Sequence, residues 1–451
     1  MKRLNIIKGM AALILPCLFS CTDSTSVLVS DNQQQWGDDV TNFTLTGQVN
    51  TDCAAIAALW FHSNKPGEGY EVRFHNGPID GTQKTGSLTD VRNLYRSLAA
   101  DSTWADFEIS VRQKNIEVKI NKTTVVSYTE PNKPWRDENH SRQQLSHGKF
   151  RFIGYAGRTT FRNLKLTPLP DNAVNPNDTL PPVDEQQDRI IRLQQQAFPV
   201  IDYHVHLKGG LTKEQAHAMS MNYGINYGVA PNLGEGGVGR MLANDQEAIE
   251  YHNEVKDMPF LMGAQGEGRR WILQFTDKAI SRFDYLFTDA MTIVDNGKIC
   301  RIYHPEEVHM RGRTQQQYMD LIVDQIVKIL TNEPVDIYAN ATYIPENWMP
   351  QYDQLWTPER IDRVLDVMQQ YDIAMEISPR YHIPSFDIIR RAKARGLKFT
   401  FGTNNVDADF GRCEYAIQAI DSCNLTPSDI WFPSMSRRAG RQPVDYNHFR
   451  Q

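Results

Sequence analysis

At 451 residues the chain exceeds what one ordinary hydrophobic core organises, so two domains are expected. Its 40% hydrophobic and 23% charged residues are those of a soluble globular protein. A net charge of −6 supplies no basic surface for nucleic acid or an anionic bilayer, and both are set aside as partners.

The chain opens on "MKRLNIIKGMAALILPCLFSC", a basic start followed by an apolar run too short to span a bilayer as a structural helix. Leu18-Phe19-Ser20-Cys21 at its end resembles the bacterial lipoprotein box, which implies lipidation of Cys21. Residues 1–21 are therefore expected to be a lipoprotein signal and 22–39 a polar tether. The expected location is the cell envelope, lipid-anchored to the outer membrane on its periplasmic or surface face, with the anchor as the sole membrane contact. The remaining cysteines, Cys53, Cys300, Cys413 and Cys423, are scattered and imply neither a zinc ribbon nor a disulfide framework.

Residues 40–168 read as β-structure. "FEISVRQKNIEVKIN" alternates Phe107, Ile109, Val111 and then Ile116, Val118, Ile120 around a polar turn, which predicts a hairpin with one buried face. "KFRFIGYAGRTTFRNLKLTPL" adds further strands, and a short helix is expected near Thr89–Ala99. In "GYEVRFHNG", Tyr70, Val72 and Phe74 share one face while Glu71, Arg73 and His75 share the other. Pattern alone leaves two readings of that second face open, a polar groove or a solvated surface with cross-strand charge pairs. The region predicts an all-β jelly-roll sandwich.

"TPLPDNAVNPNDTLPPVDEQQ" has no periodicity, and 169–188 is expected to be an interdomain linker. From 189 to 451, strand-like runs alternate with helices: "VIDYHVH", "INYGVAPN", "FLMGAQGEG", "FDYLFTDAMT", "VDIYANAT", "IAMEISP" and "KFTFGTNN". Thr212 opens a capping box, Thr357-Pro358 an N-cap with proline at the first helical position, and Ser385 a further cap. The alternation predicts an α/β parallel (βα)7 barrel, whose functional residues belong at the strand ends. Those ends read His204 and His206, Asn232, Gln265 and Glu267, Asp289, Asn340, Glu376, then Asn404 and Asn405. Two histidines at alternate positions of one strand project to one side, as two ligands of one ion would.

Two resemblances sharpen these readings. "GYEVRFHNGPIDGTQKTGSL", "FEISVRQKNIEVKINKTTVVSYTE" and "GRTTFRNLKL" resemble, over residues 40–168, the 3-keto-disaccharide hydrolase family of concanavalin-like jelly rolls. The resemblance implies that the polar face binds sugar. It also implies an elimination in which a base removes the hydrogen beside a ring ketone, the glycoside leaves, and water adds to the enone. Glu71 or His75 would be the base, and Arg73 or Lys84 would carry the developing charge. His62 and Asn76 would contact substrate, although His62, in "AALWFHS", stands near a position where the family has arginine.

"IDYHVHLKGG", "GAQGEGR" and "FTFGTNNVDADFGRCEYAI" resemble the polymerase and histidinol phosphatase superfamily of metal-dependent barrels. His204, His206 and Glu267 carry over. "NYGVAPN", "DIYANAT" and "GTNN" put amides where that superfamily has further ligands, and amides are poor donors for a transition metal. The expectation is one divalent ion at most (Zn, Mn or Ca) on His204, His206 and Glu267, helped by Asp289 or Glu376. Asn232, Gln265, Asn340, Asn404 and Asn405 would then hold a polyol.

The functional expectation is a lipid-anchored, carbohydrate-active hydrolase or lyase. It would cleave 3-keto-glycosides by elimination and hydration, with a barrel acting on the same sugar or its product. The alternatives are a sugar-binding lipoprotein with an inactive barrel and a metal-dependent phosphoesterase.

Overall fold

The computed structural model describes residues 26–176, 183–237 and 239–433. The predicted signal sequence with Cys21 lies outside them. The first unit is a β-sandwich of ten strands: β1 (Val27–Val29), β2 (Gln33–Val40), β3 (Phe43–Thr51), β4 (Ile56–Phe61), β5 (Tyr70–Phe74), β6 (Ala105–Arg112), β7 (Asn115–Ile120), β8 (Thr123–Thr129), β9 (Gly148–Ala156) and β10 (Thr159–Pro168). One sheet runs β1-β10-β3-β6-β7-β8 and the other β2-β9-β4-β5. The alternating apolar residues face one another across the gap, with Phe43, Val72, Phe74, Ile109, Val118, Phe150 and Phe161 fully buried.

The expected hairpin forms with Phe107 opposite Ile120 and Val111 opposite Ile116. Three boundaries differ from the sequence reading. The region read as a tether contributes β1 and β2, because Val27 and Val29 alternate into the core and are buried on pairing with β10. No helix forms over 89–99. Instead Thr85–Thr89 runs along β5, with Thr85 N donating to His75 O, Arg73 N to Ser87 O and Thr89 N to Glu71 O. The linker is pinned at both described ends. Asn175 donates to Asn115 Oδ1 at 2.8 Å, and buried Glu185 accepts from Tyr128 Oη at 2.5 Å and from Arg136 at 2.7 Å.

The second unit is a closed parallel barrel of seven strands, namely 201–205, 226–229, 261–267, 285–288, 337–338, 374–377 and 399–401 in chain order. Strand one pairs with strands two and seven, and the second strand closes the circle against the third through Gly228–Leu261 and Val229–Met262. Thr212 makes its capping box and Thr357 caps a helix that begins at Pro358, as expected. Ser385 occupies its cap position without a side-chain bond to the helix. Among the described residues no helix is long and apolar enough to cross a membrane, and Cys53, Cys300, Cys413 and Cys423 are free thiols.

The barrel interior is aromatic at its floor. Tyr285 Oη donates to Tyr203 O at 2.5 Å, and Tyr203 Oη donates to Trp431 O at 2.9 Å. Tyr95 of the sandwich joins this cluster from below. The sandwich thus docks on the barrel floor, where Arg96 pairs with Asp284, and Asn226 Nδ2 donates to Asn93 O at 2.7 Å.

Gly263 makes the filling possible, since a β-carbon there would sit 2.4 Å from Tyr285 Cζ. Gly263→Ala is expected to destabilise the chain by about 1–3 kcal/mol through overpacking. Chemical denaturation reads this, and an unchanged midpoint would refute the packing argument.

Candidate functional site

The strand β5 presents Glu71 and Arg73 on the outer face of its sheet, and β4 places Trp60 opposite Glu71. Glu71 Oε1 accepts from Arg73 Nε at 2.7 Å, from Arg73 Nη2 at 2.6 Å and from Thr89 Oγ1 at 3.0 Å. Its other oxygen accepts from Tyr155 Oη at 2.9 Å, and Trp60 Nε1 donates to that same hydroxyl at 3.4 Å. The Arg73 guanidinium lies over the Tyr155 ring, 5.2 Å from its centre. Tyr155 is 45% exposed, whereas the Glu71 side chain is only 5% exposed. Burial and the Glu71 charge push the Tyr155 hydroxyl up to about 12.

The other sandwich candidates stand apart from this cluster. The ring of His75 is buried with Nδ1 3.0 Å from Ala55 O, and burial lowers its pKa. Lys84 is wholly buried on Asp80 at 2.7 Å and Thr82 at 2.8 Å, so its charge is already met. Asn76 accepts from Thr85 and Ser97 hydroxyls and donates to Thr51. His62 is a packing residue, with Nε2 2.9 Å from Thr41 O and Nδ1 accepting from Ser146 N at 3.2 Å. The structure therefore keeps Glu71 and Arg73 together and adds Tyr155, Trp60 and Thr89, which sequence reasoning missed. The alternation of "YEVRF" with "ALWF" would have paired Trp60 with Glu71. Nothing local pointed to Tyr155, which arrives from β9 on the neighbouring side of the sheet.

At the barrel mouth His206, Asn232, Gln265, Glu267, Asp289 and Asn404 line a cavity of about 170 Å3, while His204, Asn340 and Glu376 are buried and do not line it. Buried His204 sits between Glu376 Oε2, 2.8 Å from Nδ1, and Gln265 Oε1, 3.1 Å from Nε2. The Gln265 amide donates to Glu267 Oε1 at 3.1 Å and Asp289 Oδ2 at 3.3 Å, which fixes its carbonyl toward His204. Asn340 Nδ2 also donates to Asp289, at 3.2 Å, and Asn340 N donates to Glu376 Oε1 at 2.7 Å. Asn404 reaches Asn340 Oδ1 at 3.3 Å, and Asn232 is aligned with Gln265 on an added short strand. Gly402 admits this arrangement, because a β-carbon there would lie 2.1 Å from Glu376 Oε2.

His206 Nδ1 is 2.8 Å from Ala230 O, and burial, then His204 and Lys208, hold its pKa well below the ordinary histidine value. The imidazole is therefore neutral, and the residue lines the cavity. Burial, then the neighbouring Asp289, raises Glu267 to about 8. Burial, then Arg380, lowers Lys208 against the pull of Glu267. Asn405 is a clamp rather than a cavity residue. It accepts from His206 N at 2.7 Å and donates to His206 O at 3.0 Å. Asp202, unremarked in the sequence reading, likewise fixes strand seven by accepting from Thr403 Oγ1 at 2.6 Å.

The donors expected to share an ion do not form one set. Both His204 nitrogens are spent on oxygen atoms, and the Gln265 amide hydrogens occupy the space between two carboxylates where a cation would sit. Among the described residues no group of three or more His, Cys, Asp or Glu side chains is arranged to hold a metal. As the side chains stand, these donors are not arranged around a common centre.

Residues 27–167 match the model of the 3-keto-alpha-glucoside-1,2-lyase-like domain, roughly a third of the chain. Similar solved structures include a candidate glycosyl hydrolase from Parabacteroides distasonis ATCC 8503, at 14% identity and a TM-score of 0.30, covering 32% of this chain and 81% of that one. A carbohydrate-binding module from Bacillus subtilis matches at 12% identity and 0.23, covering 31% and 82%. Sheep galectin-11 in complex with glycerol matches at 12% and 0.20, covering 31% and 98%. No curated protein matches the chain.

Two predictions test these environments. His62 has its pKa lowered to about 4, chiefly by burial, so the unfolded chain takes up the proton first as pH falls. The stability it contributes is complete above pH 6.5, the ordinary histidine value, and is lost between there and about 4. The expected loss is roughly 3 kcal/mol. Denaturation of His62→Gln should show a shallower acid slope, and an identical slope would exclude His62 as the source. Gln265→Glu puts a third carboxylate between Glu267 and Asp289. The variant should melt earlier and recover on adding Mn2+ or Zn2+, while the unaltered chain stays indifferent. Stoichiometric metal in the unaltered chain after dialysis would contradict the amide-bridge reading.

Proposed function

We propose that the chain is a carbohydrate-active enzyme whose sandwich cleaves 3-keto-glycosides by elimination and hydration, and whose barrel handles the same sugar or its product. The observation that carries this is the Glu71–Tyr155–Arg73 cluster on the open sheet face, inside the segment that matches the lyase-like domain. A ketone at C3 acidifies the C2 hydrogen. The Tyr155 oxygen takes that hydrogen as its own proton passes to Glu71 Oε2, and Arg73 offsets the charge of the enediolate. The C1–oxygen bond breaks and the aglycone leaves with a proton. Water adds its hydroxyl at C1 of the enone while C2 regains a hydrogen, so the net change is hydrolysis. Trp60 and the exposed Tyr155 ring offer a flat apolar surface to a sugar face.

One observation favours a second reading. Glu71 already accepts from Arg73, Thr89 and Tyr155, which suits a rigid binding face as well as a base. The phosphoesterase alternative wants a metal-holding donor set and finds none among the described residues. The lipoprotein-type start belongs to the proposal as its means of holding the chain in the cell envelope.

The full chain should release the aglycone from a 3-keto-glucoside and, in deuterated water, place deuterium at C2 of the product. Glu71→Gln and Tyr155→Phe should each lower turnover by about 100-fold or more, with KM little changed. Binding without release would leave the sandwich a sugar-binding module, and release without C2 deuterium would overturn the elimination.

A further inference from the structure

The barrel mouth is electrically divided. Strands three and four bring Glu267 and Asp289 to one wall of the cavity. The opposite wall comes from the loops after strands six, seven and one, which are neighbours in the barrel, and it carries Arg380, Asn404 and Lys208. Gly209 lets two of these loops lie together, since a β-carbon there would stand 2.6 Å from Asp407 Cα. The acidic wall is hydrogen-bonded within itself, since Asp289 accepts from Gln265, Asn340 and Met291 N, and Glu267 accepts from Gln265, although burial and Asp289 still push Glu267 up.

On the cationic wall Arg380 spends one nitrogen on Asn404 O at 3.0 Å and lies over the Tyr381 ring at 4.8 Å, with no carboxylate partner among the described residues. Lys208 is half-buried and likewise has no ion-pair partner there, although it lines the same cavity. Arg380 is exposed and Lys208 half-buried, and burial together with the Arg380 charge lowers the Lys208 pKa, so an anion between them offsets their mutual repulsion. By contrast, Arg301 pairs with Glu307 and Arg313 with Asp295.

We propose that this cavity binds a monosaccharide-sized sugar acid, with its carboxylate between Lys208 and Arg380 and its hydroxyls toward the amides and His206. The cavity volume of about 170 Å3 is small, below the roughly 300 Å3 at which drug-sized ligand sites begin. A carboxylate suits the site better than a phosphate. The planar guanidinium pairs with it through two parallel bonds. A phosphate would carry nearly two charges toward the acidic wall. Tyr303 and Tyr381 add apolar surface for the carbon face of a sugar ring. The hydroxyl-bearing half of this ligand rests on the carbohydrate reading of the chain, and the charged half rests on the cation pair alone.

Calorimetric titration of the full chain with D-gluconate and D-glucuronate, beside glucose, glucosamine, glucose 6-phosphate and butyrate, tests the assignment. The sugar acids should bind at least tenfold more tightly than glucose, and Lys208→Met and Arg380→Gln should each remove that advantage while the melting temperature holds. Affinity that falls with added salt supports the same conclusion. Equal binding of glucose, tighter binding of glucosamine or glucose 6-phosphate, or unchanged affinity in both variants would overturn it. Butyrate binding as well as gluconate would remove the sugar and keep the anion site. The keto-glucoside assay reads the sandwich separately, so either proposal can fail without the other.

Discussion

A closed seven-stranded barrel has to fill its own interior, and the rest of the second unit follows from how this one does so. Tyr203 and Tyr285 span the floor and Phe287 stacks on Tyr285 with ring centres 5.9 Å apart. The His204 ring rests on Phe287 at 4.6 Å. This aromatic column sets the height at which polar chemistry begins. Above it every buried donor and acceptor needs a partner, because an unmet polar group there costs on the order of 1–3 kcal/mol. Glu376, His204, Gln265, Asp289 and Asn340 meet that demand with one another. A chain of amides threaded between the carboxylates and an imidazole gives each of them a hydrogen-bond partner.

Much of the fold was legible because it follows from two periods. Alternation in "YEVRF" and "FEISVR" named the inward residues of the sandwich, and seven apolar runs separated by capped helices named the barrel. What the period could not convey was pairing. Val27 and Val29 alternate over too few residues to stand out, and their strand exists only because β10 lies beside it. Thr85–Thr89 is held by the exposed backbone edge of β5, a demand invisible from its own side chains. The polar, proline-rich linker shows no periodicity, and its composition says nothing of Glu185, whose carboxylate is buried against Arg136.

The sites show the same division. Strand ends identify which residues reach the barrel mouth, so His204, His206, Gln265, Glu267, Asp289, Asn340 and Glu376 were nameable from the sequence. Their partners were not, since whether a histidine ligates or donates depends on which side chains lie 3 Å away from strands distant in the chain. Asn405 illustrates the limit. Its type suggested a sugar contact, whereas it substitutes for a missing strand partner along His206. In the sandwich, His75 and Lys84 are engaged by local bonds that residue type does not reveal, and residue type gave no sign of Tyr155.

The docking of the sandwich on the barrel floor has a further meaning. Tyr95 and Trp431 seal the strand-start end, while the cavity opens at the strand-finish end. Among the described residues this aromatic cluster fills the barrel below the cavity. Any compound that both units handle has to leave the first, travel around the outside of the body and enter the second against dilution into the surrounding water. Two sites so placed share a compound through how slowly it escapes their neighbourhood. Confinement of the whole chain to a narrow compartment or a surface would then govern the yield of the pair more than any contact between the units.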